Sequence, residues 1–319
     1  MDIRSVRESS LAILEAEART LIVGCGYEHR SQGVTSLLQR LPHEKIALCF
    51  REFSDAIARK ENERFFEDKG FALRQVGGNS PDHVQSIVSA AIHQQTANGG
   101  ALAFDISTMT RAWHGAIVRQ LRIEELSYEL RTFFAYAPAK FQPPPGWNAP
   151  NEFVGPVDGF TSLGTPDLPV AAIIGLGYER EGALGLQQLI DPQLTILMVP
   201  KANDRHDPFY ARVKQSNKDV IDRTRSEWIF EYDLSEPAST FSTMASIVAG
   251  LKGSYRVVLA SLGPKIFGVL CFLLASKFND LSVWRISSGI HGHPRDSHAD
   301  LERAVVLDVT WQAISSASD

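Results

Sequence analysis

The stretch Arg256 to Lys277, RVVLASLGPKIFGVLCFLLASK, decides the fold. Val257 to Ala260 is a short apolar run of the kind that fills a buried strand. Ser261-Leu262-Gly263-Pro264-Lys265 follows as a tight polar turn, and the rest is apolar enough for a buried helix. A strand that enters a helix through small residues makes a ready anion site. The first helical N–H groups lack partners, the helix end carries a partial positive charge, and Lys265 adds a full one. A second stretch, ALAFDISTMTRAWHGAIVRQL at Ala101 to Leu121, has the same shape. There the strand ends at Asp105, the turn runs from Ile106 to Thr110, and Arg111 stands where Lys265 stands.

Outward from these two stretches the same order of signals recurs. TLIVGCGYEHRSQG (Thr20 to Gly33) and AAIIGLGYEREGALG (Ala171 to Gly185) are matching strand ends that run into helices. Second strands follow at Lys45 to Phe50 and at Ile196 to Val199, with 22 residues from Gly24 to Ile46 and 22 from Gly175 to Leu197. GFALRQVGG and SEWIFEYDL supply third strands, each followed by a helix, and Leu130 to Tyr136 and Leu281 to Ile286 supply the last ones. Strands alternating with helices at this spacing predict an α/β fold with doubly wound parallel sheets. The repeated register predicts two tandem Rossmann-like parallel-sheet domains related by internal duplication. Residues 1–137 form the first and 170–319 the second. The segment 138–169, rich in proline and without a sustained period, reads as the connection between them.

The composition limits the function. The chain has 319 residues, 44% hydrophobic and 22% charged, which suits two globular domains of ordinary size. Its net charge of −5 advertises no general grip on nucleic acid, although a small nucleotide in one focused pocket is allowed. Cys25, Cys49 and Cys271 lie in apolar contexts without metal-ligand spacing, which reads as buried reduced thiols. There is no apolar signal core and no run long enough to span a bilayer, so no membrane partner and a cytoplasmic location are expected.

In open parallel sheets ligands bind beyond the carboxyl ends of the strands. The loops expected there are polar and glycine-rich in both copies. In the first copy they offer Gly24, Gly26, Tyr27, Glu28 and Arg30, then Asp105, Ser107, Thr108, Thr110 and Arg111. In the second they offer Gly175, Gly177, Tyr178, Glu179 and Arg180, then Ser261, Gly263 and Lys265. Glycines permit close backbone approach, and Arg or Lys beside hydroxyls and helix N–H groups suits a phosphate. The shared Gly-x-Gly-Tyr-Glu is not the GxGxxG of dinucleotide enzymes, and no cofactor is expected. Asp105 and Glu28 are the candidate acid/base groups, one-sided in the case of Asp105 because Ala260 occupies its place in the second copy. The loop His291-Gly-His-Pro-Arg-Asp-Ser-His298 has metal-ligand residue types but reads as a solvated loop, so no metal is assigned.

DISTMTR (Asp105 to Arg111) and SLGPK (Ser261 to Lys265) resemble the signature loop of CRISPR-associated Rossmann-fold (CARF) domains. Two such units in one chain are similar to the SAVED domain of cyclic-oligonucleotide immunity systems, a fusion of two CARF-like halves. The first turn lacks the glycine pair usual before the basic residue, and the second has Pro264 in place of a hydroxyl. The resemblance implies a sensor that binds a nucleotide or cyclic oligonucleotide in prokaryotic antiviral defence, with Arg30, Arg111, Arg180 and Lys265 on phosphates. It also implies a protein partner or effector encoded nearby to carry the output. Two other readings stay open. One is an enzyme that cleaves a glycosidic or phosphodiester bond of a nucleotide through Glu28 or Asp105. The other is a structural subunit that binds a partner protein.

Overall fold

A computed structural model describes residues 1–96, 100–143, 151–162, 164–178, 182–202, 207–288 and 293–313. The chain divides into two compact units, Met1–Lys140 with Pro294–Asp319, and Phe141–His293.

In unit 1 the strands are β1 (Asp2–Ser9), β2 (Ala18–Cys25), β3 (Glu44–Phe50), β4 (Ala72–Val76), β5 (Ala101–Asp105) and β6 (Leu130–Tyr136). Between them lie helices α1 (Leu11–Glu17), α2 (Gly33–Leu37), α3 (Arg59–Asp68), α4 (Pro81–Thr96) and α5 (Arg111–Ile123). Unit 2 contains β7 (Phe153–Pro156), β8 (Val170–Gly175), β9 (Leu194–Pro200), β10 (Ile229–Tyr232), β11 (Arg256–Ser261) and β12 (Ser282–Ser287). Its helices are α6 (Gly182–Ile190), α7 (Pro208–Ser216), α8 (Lys218–Arg223), α9 (Pro237–Leu251) and α10 (Lys265–Lys277). The last strand, β13 (Val305–Gln312), returns to unit 1.

The protein is therefore an α/β protein with two sheets. The first has the order β1-β13-β6-β5-β2-β3-β4 and the second β10-β9-β8-β11-β12-β7. Counted from β2 and from β8, each carries five parallel strands in the order 3-2-1-4-5, the doubly wound arrangement. The central strands are apolar on both faces because helices cover both, as in β5, where every residue is buried. The same logic explains α10. It is buried continuously from Ile266 to Ser276, so it is apolar around its whole circumference rather than along one stripe.

Neither sheet is purely parallel as expected. The 138–169 connection contains β7, which pairs antiparallel with β12 from Trp284↔Pro156 to Ser287↔Phe153. The N-terminal residues form the edge strand β1, whose charged side chains face solvent as an edge strand requires. A larger departure is the chain's end. A second domain running to residue 319 does not match the structure, because β13 lies between β1 and β6 and pairs antiparallel with both. Its alternating apolar residues fill the unit 1 core. Trp311 is fully buried and donates from Nε1 to Thr132 Oγ1 at 2.9 Å. Arg131 grips Asp308 with two nitrogens, at 3.1 and 2.8 Å. Among the described residues, no helix is long and apolar enough to cross a membrane.

Replacing Trp311 with alanine removes a filled core volume and is expected to destabilise by about 3–5 kcal/mol. In hydrogen exchange the lost protection falls on β1 and β6. Loss confined to β8–β12 would contradict the placement of the C-terminal strand.

Candidate functional site

Both sheets present their carboxyl ends at the loop after the first parallel strand and the turn after the fourth, where the doubly wound order reverses. In unit 1 these two loops are tied directly. Thr108 Oγ1 donates to Gly24 O at 2.7 Å, and a Cβ on Gly24 would stand 2.7 Å from that same hydroxyl oxygen. Asp105 is buried, and its Oδ1 accepts from the N–H (2.9 Å) and hydroxyl (2.5 Å) of Ser107. Ser107 Oγ in turn accepts from Ala137 N–H at 2.9 Å. Thr110 caps α5 by accepting from Trp113 N–H at 3.2 Å and donates to Gly78 O at 2.9 Å. The loop's acid and hydroxyls thus hold its own backbone, the usual work of such groups in tight turns. Arg111, the first residue of α5, is half-buried.

The Gly-x-Gly-Tyr-Glu loop of unit 1 is equally well anchored. Gly26 N–H donates to Ser31 Oγ at 3.0 Å, and Asn62 Nδ2 on α3 donates to Gly26 O and Glu28 O, both at 2.9 Å. Glu28 and Arg30 form a nearly buried ion pair at 2.9 Å. Tyr27 meets Phe53 edge to face at 5.6 Å. Burial and then the Glu28 charge push the Tyr27 hydroxyl pKa up to about 12.

Unit 2 repeats several of these contacts. Asn217 Nδ2, from the segment joining α7 to α8, donates to Gly177 O at 2.7 Å, as Asn62 does to Gly26. Tyr178 meets Phe209 edge to face at 5.9 Å, as Tyr27 meets Phe53, and meets Phe141 at 6.4 Å. The two asparagines escape a reading of the sequence because they lie at different distances from their glycines, one on a helix and the other between two. Only the glycine carbonyl to be satisfied is common to both.

The turns themselves differ. In unit 2 the loops meet backbone to backbone: Leu262 N–H donates to Gly175 O at 2.9 Å. Side chains at Gly177 and Gly263 would run into the carbonyls of Leu262 and Leu176, and one at Gly175 into the Phe267 ring. None of these glycines has a positive φ, so they are needed for space and not for a left-handed backbone. Ser261 is buried at the strand end. Lys265 is the first residue of α10 behind Pro264, which offers no side-chain cap where Thr110 caps α5. Glu179 and Arg180 lie outside the described residues.

A third group joins segments that the sequence alone does not connect. Asp296, in the segment leading to β13, accepts at Oδ1 from His29 N–H at 3.0 Å and from Ser297 N–H at 2.8 Å. Its Oδ2 lies 2.7 Å from His29 Nδ1. Burial alone would raise the Asp296 pKa, but the His29 and Ser297 bonds bring it below the ordinary carboxylate value. His29 lies between two expected site residues, and nothing local marks it, since its partner is 267 residues away.

No protein-family model matches the chain, and no curated protein matches it. Among solved structures, one described as a universal stress protein from Pseudomonas aeruginosa is similar at 12% identity, covering 87% of this chain and 96% of its own, with a TM-score of 0.28. At that score the likeness carries no argument.

The two repeated glycines should respond differently to one methyl group. Gly177→Ala must push one backbone away from another and is expected to cost about 1–3 kcal/mol. At Gly26 the nearest atom to a Cβ is Ser31 Oγ at 3.5 Å, an ordinary contact, so Gly26→Ala should be neutral or mildly stabilising. Urea unfolding of both variants checks this, and equal losses would contradict it. A second expectation concerns alkaline pH. The unfolded chain releases the Tyr27 proton near pH 10 while the folded one holds it to about 12, so stability falls as pH rises through that window. Tyr27→Phe should flatten that stretch of the profile.

Proposed function

We propose that the carboxyl edges of the sheets bind a nucleotide or cyclic oligonucleotide, and that unit 2 carries the principal contact. The observation behind this reading is the junction of β11 with α10. Two glycine-spaced backbones touch there, and a helix begins with Lys265 behind a proline that has no capping oxygen. A phosphate is the group that such a backbone cradle, helix end and lysine suit best. Half-exposed Tyr178 in its aromatic group adds a face for a base or sugar.

Binding without turnover is favoured over catalysis by the state of the candidate acids. Asp105 is buried against Ser107 and Glu28 is paired with Arg30, so both carboxylates serve the loops that hold them. The shared 3-2-1-4-5 order and the matched Asn62/Asn217 and Tyr27/Tyr178 contacts support an origin by internal duplication. A sensor role in antiviral defence, with a nearby effector, rests on the resemblance of the two turns to CARF and SAVED domains.

Thermal unfolding in the presence of ATP, GTP, NAD and cyclic di-, tri- and tetranucleotides tests the reading. A binder present at a hundred times its Kd stabilises the fold by about 2.7 kcal/mol. The expected result is a raised Tm with one ligand class, ligand intact on chromatography, and affinity reduced about tenfold by Lys265→Ala. Consumption of the ligand would make the protein an enzyme. No shift across the panel would leave the partner-binding subunit.

A further inference from the structure

Two histidines and a carboxylate from opposite ends of unit 1 meet at the loop after β2. Asp296 Oδ2 stands 2.7 Å from His29 Nδ1 and 3.5 Å from His298 Nε2. The donor atoms of all three side chains fall within 4.8 Å of one another. The two imidazoles are stacked, with centroids 5.0 Å apart and planes 16° apart. We propose that His29, Asp296 and His298 form a binding site for one divalent transition-metal ion of the zinc class.

The distances suit such an ion with little rearrangement. Ligands about 2.1 Å from a tetrahedral metal stand roughly 3.4 Å from each other. The Asp296–His298 separation of 3.5 Å already has that value. The shorter His29–Asp296 contact, 2.7 Å, is a hydrogen bond, and it opens by about 0.7 Å when the metal displaces the shared proton. His298 is the most exposed of the three, 61% at its side chain, and so is free to swing toward the others.

The surroundings of the cluster are those of a metal site. Asp296 is fixed through Oδ1 by two backbone N–H groups, which leaves Oδ2 directed at both imidazoles. The other ring nitrogen of His29, Nε2, lies 3.6 Å from Glu61 Oε2. A carboxylate behind a ligating histidine sets its tautomer and strengthens it as a donor. Two nitrogens and one oxygen favour zinc, nickel or cobalt over magnesium or calcium. Three protein ligands leave a coordination position open to solvent. The ion would also bridge the loop after β2 and the segment before β13, which touch through Arg30 N–H and Ser297 O at 2.8 Å.

The test uses the tag-free full chain, stripped with chelator and titrated with zinc chloride against a chromophoric competitor. Cobalt is then substituted to read the visible ligand-field spectrum. The expected result is one equivalent of tight zinc, bound at least tenfold more weakly by Asp296→Asn and by His298→Gln, with the cobalt spectrum altered in both. Exposed His43→Gln should change nothing. Because Asp296 also anchors backbone, His298→Gln is the deciding variant: among the described residues its solvent-facing ring meets the cluster and the His29 stack and carries no other fold contact. Zinc bound equally well by wild type and His298→Gln, or no stoichiometric zinc in wild type, overturns the proposal.

Discussion

The closeness of two backbones at the middle of each sheet constrains the rest of this structure. The first parallel strand ends in Gly-x-Gly, and the turn after the fourth strand lies directly on it. In unit 1 the contact is a hydroxyl to a carbonyl, Thr108 Oγ1 to Gly24 O at 2.7 Å. In unit 2 it is backbone on backbone, Gly177 against Leu262 and Gly263 against Leu176. A Cβ at the unit 2 glycines would separate the strand ends, and the loops could not share one surface. Every polar group that follows is arranged around that approach. Asn62 and Asn217 satisfy the glycine carbonyls, and the tyrosines that follow the glycines each meet a phenylalanine edge to face, Phe53 in unit 1 and Phe209 in unit 2.

The two units solve the same packing problem with different chemistry. Unit 1 uses its loop side chains internally. Asp105 holds Ser107, Ser107 holds Ala137, Thr110 caps α5, and Glu28 neutralises Arg30. Unit 2 places proline at the cap position and lysine at the helix start. Closing a turn with side chains makes it rigid and uses up its hydrogen-bonding capacity. Closing it with backbone contact leaves α10 without a side-chain cap. The same strand order thus carries one turn closed by side chains and one closed by backbone contact.

Cys25 and Cys49 show how burial works in the same region. They are paired neighbours on β2 and β3, both fully buried. The close Cys49 sulfur, then burial, raises the Cys25 thiol, while the Cys25 sulfur and the Arg59 charge lower Cys49 against the opposing effect of burial. Arg59 is itself almost fully buried and paired with Glu63 at 2.7 Å, so a charged group reaches under the sheet end without losing its partner.

The sequence by itself determined the α/β class, the central strands and the polar, glycine-rich loops at their carboxyl ends. Those follow from local rules: apolar runs too short for helices, glycine-rich turns, and a spacing that repeats at Gly24 and Gly175. What only the tertiary structure decided is the pairing of distant segments. Val305–Gln312 alternates apolar and polar residues over its second half, but alternation does not say which sheet an antiparallel strand joins. It enters the first sheet because Trp311 and Asp308 find Thr132 and Arg131 there, partners 177 or more residues away. The hydroxyls of Ser107, Thr108 and Thr110 looked available to a ligand because sequence shows a donor's identity and not the acceptor it finds. His29 carried no local signal for the same reason, since Asp296 and His298 reach it only after the chain has built an entire second unit and come back.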